Sequence, residues 1–122
     1  MNRLNEMVWP EIRRLYLQEI EAIKRDNYKG VVILDAAILL EAGWDQDCQE
    51  VWVSIVPPGE AIKRITERDN LPVDQATKRV ESQLSNCERV KKANVVLCSI
   101  WEKEVTQQQV VTAWQHVQNY LQ

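Results

Sequence analysis

The stretch Gly30-Val31-Val32-Ile33-Leu34-Asp35-Ala36-Ala37-Ile38-Leu39-Leu40-Glu41-Ala42-Gly43-Trp44 decides how the chain is read. A glycine turn opens onto four consecutive apolar residues, three of them β-branched, and the run stops on a carboxylate. So short an apolar run predicts a strand buried on both faces, as in a parallel sheet covered by helices. Ligands of open α/β sheets bind beyond the carboxyl ends of the strands, which is where Asp35 would emerge. An acid there either holds a metal ion or orients a phosphate or hydroxyl group. It can also simply cap the next turn.

Composition sets the bounds. The chain has 122 residues, 45% hydrophobic and 27% charged, which suits one soluble domain with a single core. It contains no run of eighteen apolar residues, so no bilayer span is expected, and its first residues lack the apolar centre of a secretory signal. Cys48, Cys87 and Cys98 are odd in number and have no C-x-x-C spacing, which predicts reduced thiols rather than disulfides or a zinc site. A single histidine, His116, cannot build a metal cluster, and no metal ligand is assigned.

The net charge of −3 is unevenly spread. Between Lys63 and Lys92 stand eight bases against five acids, a locally basic segment on an acidic body. That pattern argues against nucleic acid as a partner and suits a local anion site such as phosphate. A solvated helical face of mixed charge accounts for it equally.

Along the chain, Pro10 suits the first turn of a helix running to about Arg25, with Ile12, Leu15, Tyr16, Ile20 and Ile23 on one face. Asp26 to Gly30 forms a turn before the first strand. Ile38 to Ala42 makes a short helical turn ended by Gly43. Glu50 to Val56 is a second strand, broken by Pro57-Pro58-Gly59. Glu60 to Arg68 is a helix, and Pro72 opens another to about Leu84 whose sparse apolar positions predict mobility. Ser85 to Lys92 is polar and basic, and Val95 to Cys98 is a third strand. Thr106 and Gln109 have capping-box spacing and start a terminal helix with Val110, Ala113, Trp114, Val117 and Leu121 inside. Alternation of this kind predicts an α/β fold with a parallel sheet and helices on both faces.

Gly30, Gly43 and Gly59 are the only glycines, and none belongs to G-x-x-x-x-G-K-[ST] or G-x-G-x-x-G. The chain therefore has no loop of that type to wrap phosphates. With three strands and a helix at the very start, it has the shape of a C-terminal portion.

In this order and spacing, the motifs resemble dephospho-coenzyme A kinases. The residues are Trp9-Pro10, Ile33-Leu34-Asp35, Leu39 to Trp44, Glu50-Val51-Trp52, Arg64-Ile65, Glu67-Arg68-Asp69, Arg79 with Gln83 and Ser85, and Asn94 to Leu97. The Leu39 to Trp44 stretch and the Trp101-Glu102 pair look like the kinase domain that ends eukaryotic bifunctional coenzyme A synthase. The resemblance implies an incomplete P-loop kinase fold, three-layered α/β/α, spanning 1–122 with a helical lid at about 63–92. It implies transfer of the ATP γ-phosphate to the ribose 3′-hydroxyl of dephospho-coenzyme A, with ATP and Mg2+ serving the complete domain. Neither is expected to bind tightly to this chain alone.

By motif, Asp35, Leu39 and Glu41 would line the acceptor crevice. Arg64 would reach the transferring phosphate, and Arg68, Arg79 and Arg89 would bind phosphate from the lid. The family's common Ala-Asp before the third strand is Ala93-Asn94 here, and the asparagine after that strand is Ser99. The implied setting is cytoplasmic, or associated with mitochondria. A rival reading is a non-catalytic module or truncated paralogue that self-associates, or pairs with a missing N-terminal portion, through an exposed sheet edge.

Overall fold

The computed structural model describes residues 2–26 and 29–121. Asn27 and Tyr28, in the expected turn, lie outside the described residues. The chain divides into two compact units, Met1–Trp44 and Asp45–Gln122, each of which is described by itself.

In the first unit, α1 runs over Arg3–Arg25. It begins well before Pro10, because Asn2 is its N-cap and the Asn2 side-chain oxygen accepts from the Leu4 N–H at 3.0 Å. That satisfies an otherwise orphaned donor, and Pro10 becomes an interior residue rather than the first-turn residue the sequence predicts. No residue of α1 is fully buried, and Leu4 and Met7 are 62% and 70% exposed.

The expected first strand does not form. Val31 to Leu34 have no regular secondary structure, and Ile33 is 78% exposed. A strand exists only through its ladder of backbone hydrogen bonds, and among the described residues no strand pairs with this run. The turn that follows matches expectation. The Ala42 N–H donates to Ile38 at 2.9 Å, Gly43 to Leu40 at 3.1 Å and Trp44 to Leu39 at 2.9 Å. The last two bonds form a Schellman closure, with Gly43 in the left-handed region at φ +73°. Leu40 and Trp44 are buried, and the Tyr16 and Trp44 rings meet edge to face with centroids 5.5 Å apart.

The second unit contains the sheet. After a 3-10 turn at Trp44–Asp47, β1 (Trp52–Ile55) and β2 (Val95–Cys98) pair in parallel, Trp52 opposite Val95 and Ile55 opposite Cys98. The fold class is thus α/β with a parallel sheet, although of two strands rather than three among the described residues. Asn94 sets the register twice: its backbone N–H donates to the Val51 carbonyl, and its side-chain oxygen accepts from the Val51 N–H, both at 2.8 Å. Val53 of β1 and Val51 just before it are buried while Ser54 is exposed, the alternation of a half-covered strand.

Helix α2 (Pro58–Asp69) starts with proline in its first turn, where no N–H is needed, and stops at Asn70, which takes a left-handed φ of 51°. Helix α3 (Val73–Glu81) packs against α2 through Ala76, which has no exposed surface. Helix α4 (Asn86–Lys92) fills the polar basic stretch, capped by the Ser85 hydroxyl accepting from the Glu88 N–H at 3.2 Å. Helix α5 (Lys103–Tyr120) packs on β2 and starts three residues before the expected Thr106. Gln109 does not cap it, because its amide is engaged with the Cys98 backbone instead.

Candidate functional site

A parallel pair directs both carboxyl ends the same way, and the residues just beyond Ile55 and Cys98 define the end where α/β ligands bind. Ser99 follows β2 there, with its N–H donating to the Ile55 carbonyl at 3.2 Å. Arg64 reaches Ser99 from the middle of α2. Its Nη1 donates to Ser99 Oγ at 3.0 Å and its Nη2 to the Ser99 carbonyl at 2.6 Å. The third arm, Nε, donates to Glu60 Oε1 at 2.9 Å, one helical turn back. All three nitrogens of the guanidinium are therefore engaged at the carboxyl end of the sheet. A planar cation fixed there is suited to neutralise an oxyanion.

A second cluster joins α2 to α3. Asp69, the last residue of α2, accepts from Arg68 Nε at 2.7 Å and Nη2 at 3.0 Å, and from Arg79 Nη1 at 2.7 Å. The Arg68 hydrogen bond is the main reason the Asp69 carboxyl sits below its ordinary pKa, and the charges of Arg68 and Arg79 add to it. Asp69 in turn pushes the Arg68 guanidinium upward. Arg68 and Arg79 remain largely exposed, so solvent species can reach both.

Arg89 occupies a different place. Its Nη2 donates to the Ser54 carbonyl of β1 at 3.0 Å, and Asn86, one turn earlier on α4, donates to the Val56 carbonyl at 2.7 Å. The Ile55 carbonyl faces β2, so those of Ser54 and Val56 lie on the other edge of β1. Arg89 thus covers strand carbonyls and is not grouped with the Arg68–Asp69–Arg79 cluster.

The remaining candidates belong to the first unit. Asp35 is exposed in the irregular run after Leu34, and Leu39 and Glu41 are half-buried in the turn closed by Gly43. Among the described residues, no group of three His, Cys, Asp or Glu side chains could hold a metal ion. No helix of the described residues is long and apolar enough to cross a membrane. Cys48 is held as a thiol, its pKa raised first by burial and then by Asp47 and Asp45.

Sequence reasoning gave no role to Glu60, Asp69 or Ser99. Glu60 was legible as the i, i+4 partner of Arg64, and Asp69 as the acid next to Arg68. Ser99 had no local signal, because a contact 35 residues away in sequence depends on the parallel pairing.

A family model described as dephospho-CoA kinase matches residues 1–100. The chain is 31% identical over 118 residues to a dephospho-CoA kinase of Moorella thermoacetica, covering 97% of this chain and 56% of that protein. It is 37% identical over 97 residues to that of Fusobacterium nucleatum, with coverages of 80% and 48%. With the enzyme of Listeria innocua the identity is 33% over 110 residues, with coverages of 90% and 54%. The chain spans about half the length of these curated relatives.

Proposed function

We propose that this chain, which belongs to the dephospho-CoA kinase family, supplies the acceptor side and the arginine-bearing lid of a phosphotransferase. The reaction moves the γ-phosphate of ATP to the ribose 3′-hydroxyl of dephospho-coenzyme A. The observation that carries this reading is Arg64, tied by Ser99 and Glu60 to the carboxyl end of the parallel strands.

In this mechanism the chain's residues position groups and balance charge. The Arg64 guanidinium neutralises the negative charge spread over the transferring phosphoryl group. Such an arginine is worth about three to five orders of magnitude in comparable enzymes. Arg68 and Arg79 hold phosphate oxygens from the lid, which spans about 63–92, and Arg89 serves its far end. Asp35, Leu39 and Glu41 line the acceptor crevice. Closure of the lid excludes water, which would otherwise compete with the ribose hydroxyl. No residue of this chain is assigned to the Mg2+ proposed for the complete domain.

The leucine-rich turn before Trp44 and the Trp101-Glu102 pair support a finer likeness to the kinase domain of eukaryotic bifunctional coenzyme A synthase. The proposed setting is the cytoplasm, with mitochondrial association as the alternative. Exposed apolar side chains such as Leu4, Met7 and Ile33 support self-association or pairing with a second polypeptide. The family match favours the enzyme over a purely non-catalytic module.

The test joins this chain to the glycine-loop portion of the family and measures phosphorylation of dephospho-coenzyme A by ATP. The joined protein is expected to turn over, and Arg64→Ala is expected to lower kcat by about three orders of magnitude with little change in acceptor KM. The isolated chain is expected to be inactive. A joined, folded protein that leaves dephospho-coenzyme A unmodified overturns the reading, and a full rate in Arg64→Ala removes that residue from the mechanism.

A further inference from the structure

The acid at the end of α2 is out of place by helix electrostatics. The C-terminus of a helix carries partial negative charge, which disfavours a carboxylate and favours a cation. Yet Asp69 is the last residue of α2, and it accepts hydrogen bonds from two arginines, one on each helix of the α2–α3 hairpin. Arg68 presents Nε and Nη2 to the two carboxylate oxygens, and Arg79 adds Nη1 to Oδ2, its Nε and Nη2 bonding to no other described residue. Two planar guanidinium groups converging on one small oxyanion make the arrangement that also fits a phosphate group. The three residues together carry one net positive charge.

We propose that Asp69 is the internal occupant of an oligophosphate-binding fork formed by Arg68 and Arg79, and that an incoming phosphate group binds by displacing it. This deepens the phosphate-binding reading of the two arginines and rests on it. Asp69 is a positioning residue here: it holds both guanidinium groups side by side and unscreened by stray anions until a more highly charged anion competes. Selectivity follows from charge. A monovalent anion gains little over a tethered carboxylate, whereas a triphosphate presents several charges and several acceptor oxygens at once. Exposure of both arginine side chains leaves the exchange open to solvent.

The test is titration of inorganic triphosphate into the full chain at low ionic strength, read by calorimetry and by the NMR signal of the Asp69 carboxyl carbon. Asp69→Asn removes the competing charge and is expected to tighten triphosphate binding by about fivefold to tenfold. Arg68→Ala and Arg79→Ala are each expected to weaken it by at least that factor. In the unaltered chain, triphosphate is expected to move the Asp69 carboxyl back toward its ordinary pKa as the arginines leave it. Equal or weaker binding by a folded Asp69→Asn overturns the proposal. So does triphosphate binding that leaves the Asp69 signal unmoved, or no binding at all. Should Asp69→Asn fail to fold, the carboxyl signal of the unaltered chain decides alone. No acceptor or turnover enters the measurement, so intact anion exchange beside an inactive joined protein would refute the kinase reading only.

Discussion

Gln109 and Cys98 pair side chain to backbone as one strand pairs with the next: the Cys98 N–H donates to Gln109 Oε1 at 2.8 Å, and Gln109 Nε2 donates to the Cys98 carbonyl at 3.0 Å. Backbone groups at the edge of a sheet need partners, and here a primary amide supplies a donor and an acceptor together. Gln109→Leu keeps the volume and removes both bonds, leaving two part-buried backbone groups unpaired. The expected loss is about 1–3 kcal/mol, read from urea midpoints at constant m. An unchanged midpoint would show that water replaces the amide at no cost.

Asn94 stands where the family resemblance expects aspartate, and its side chain explains why either residue works. The interaction with the Val51 N–H requires only an acceptor oxygen, which both residues have. Asn94→Asp is therefore expected to retain stability within about 0.5 kcal/mol, while Asn94→Ala loses about 1 kcal/mol with the bond. Thermal unfolding of the two variants side by side checks the order. An alanine variant as stable as the aspartate variant would remove Asn94 from the setting of the register.

The Asp69 cluster gives the α2–α3 hairpin a defined response to pH. Its carboxyl is held below the ordinary aspartate value by Arg68 first, so the native state binds that proton less readily than the unfolded chain does. Stability from this group is fully present above the unfolded pKa of about 3.9 and is lost as pH falls through the lower folded value. Amide protection in α2 and α3, taken relative to the intrinsic exchange rate at each pH, is expected to fall below about pH 4 in the unaltered chain but not in Asp69→Asn. Glu11, lowered by its hydrogen bond to Arg14, titrates with the same sign on α1, so the comparison is made at α2 and α3 amides. In 1 M salt the difference should shrink, since the arginines paired with Asp69 are largely exposed and the screening length falls to about 3 Å. Persistence at high salt would point to packing instead.

What the sequence revealed and what it concealed divide along a physical line. Elements fixed by local chemistry were legible: the prolines that stop β1, the glycine that ends the turn at Trp44, and the apolar run of β2. So was the cap of α4, in hindsight, since Ser85 and Glu88 have the spacing of a capping box. The same spacing at Thr106 and Gln109 misled, because the α5 glutamine is used by a strand. Val31 to Leu34 read as a strand from composition alone, but composition cannot provide a neighbour. Arg64 was singled out through its motif. Its grip on Ser99 was hidden because α2 and the end of β2 meet only in three dimensions.

Gly43 carries the last expectation. Its φ of +73° lies in the region that a side chain disfavours, and an added Cβ would meet no atom within 4 Å. Gly43→Ala thus tests backbone strain without a steric clash. The expected cost is about 1–2 kcal/mol, the penalty for a left-handed L-residue, less the few tenths recovered by restricting the unfolded chain. Because the Gly43 and Trp44 N–H groups close this turn on Leu40 and Leu39, the variant should also loosen the burial of Trp44. A red shift of tryptophan emission at temperatures below the main transition would report it. Trp44→Leu in the same background identifies the signal, since the other four tryptophans remain. If Gly43→Ala matches the unaltered chain in both midpoint and emission, the turn does not depend on the left-handed closure, and the bonds of Ala42 and Leu39 alone hold it.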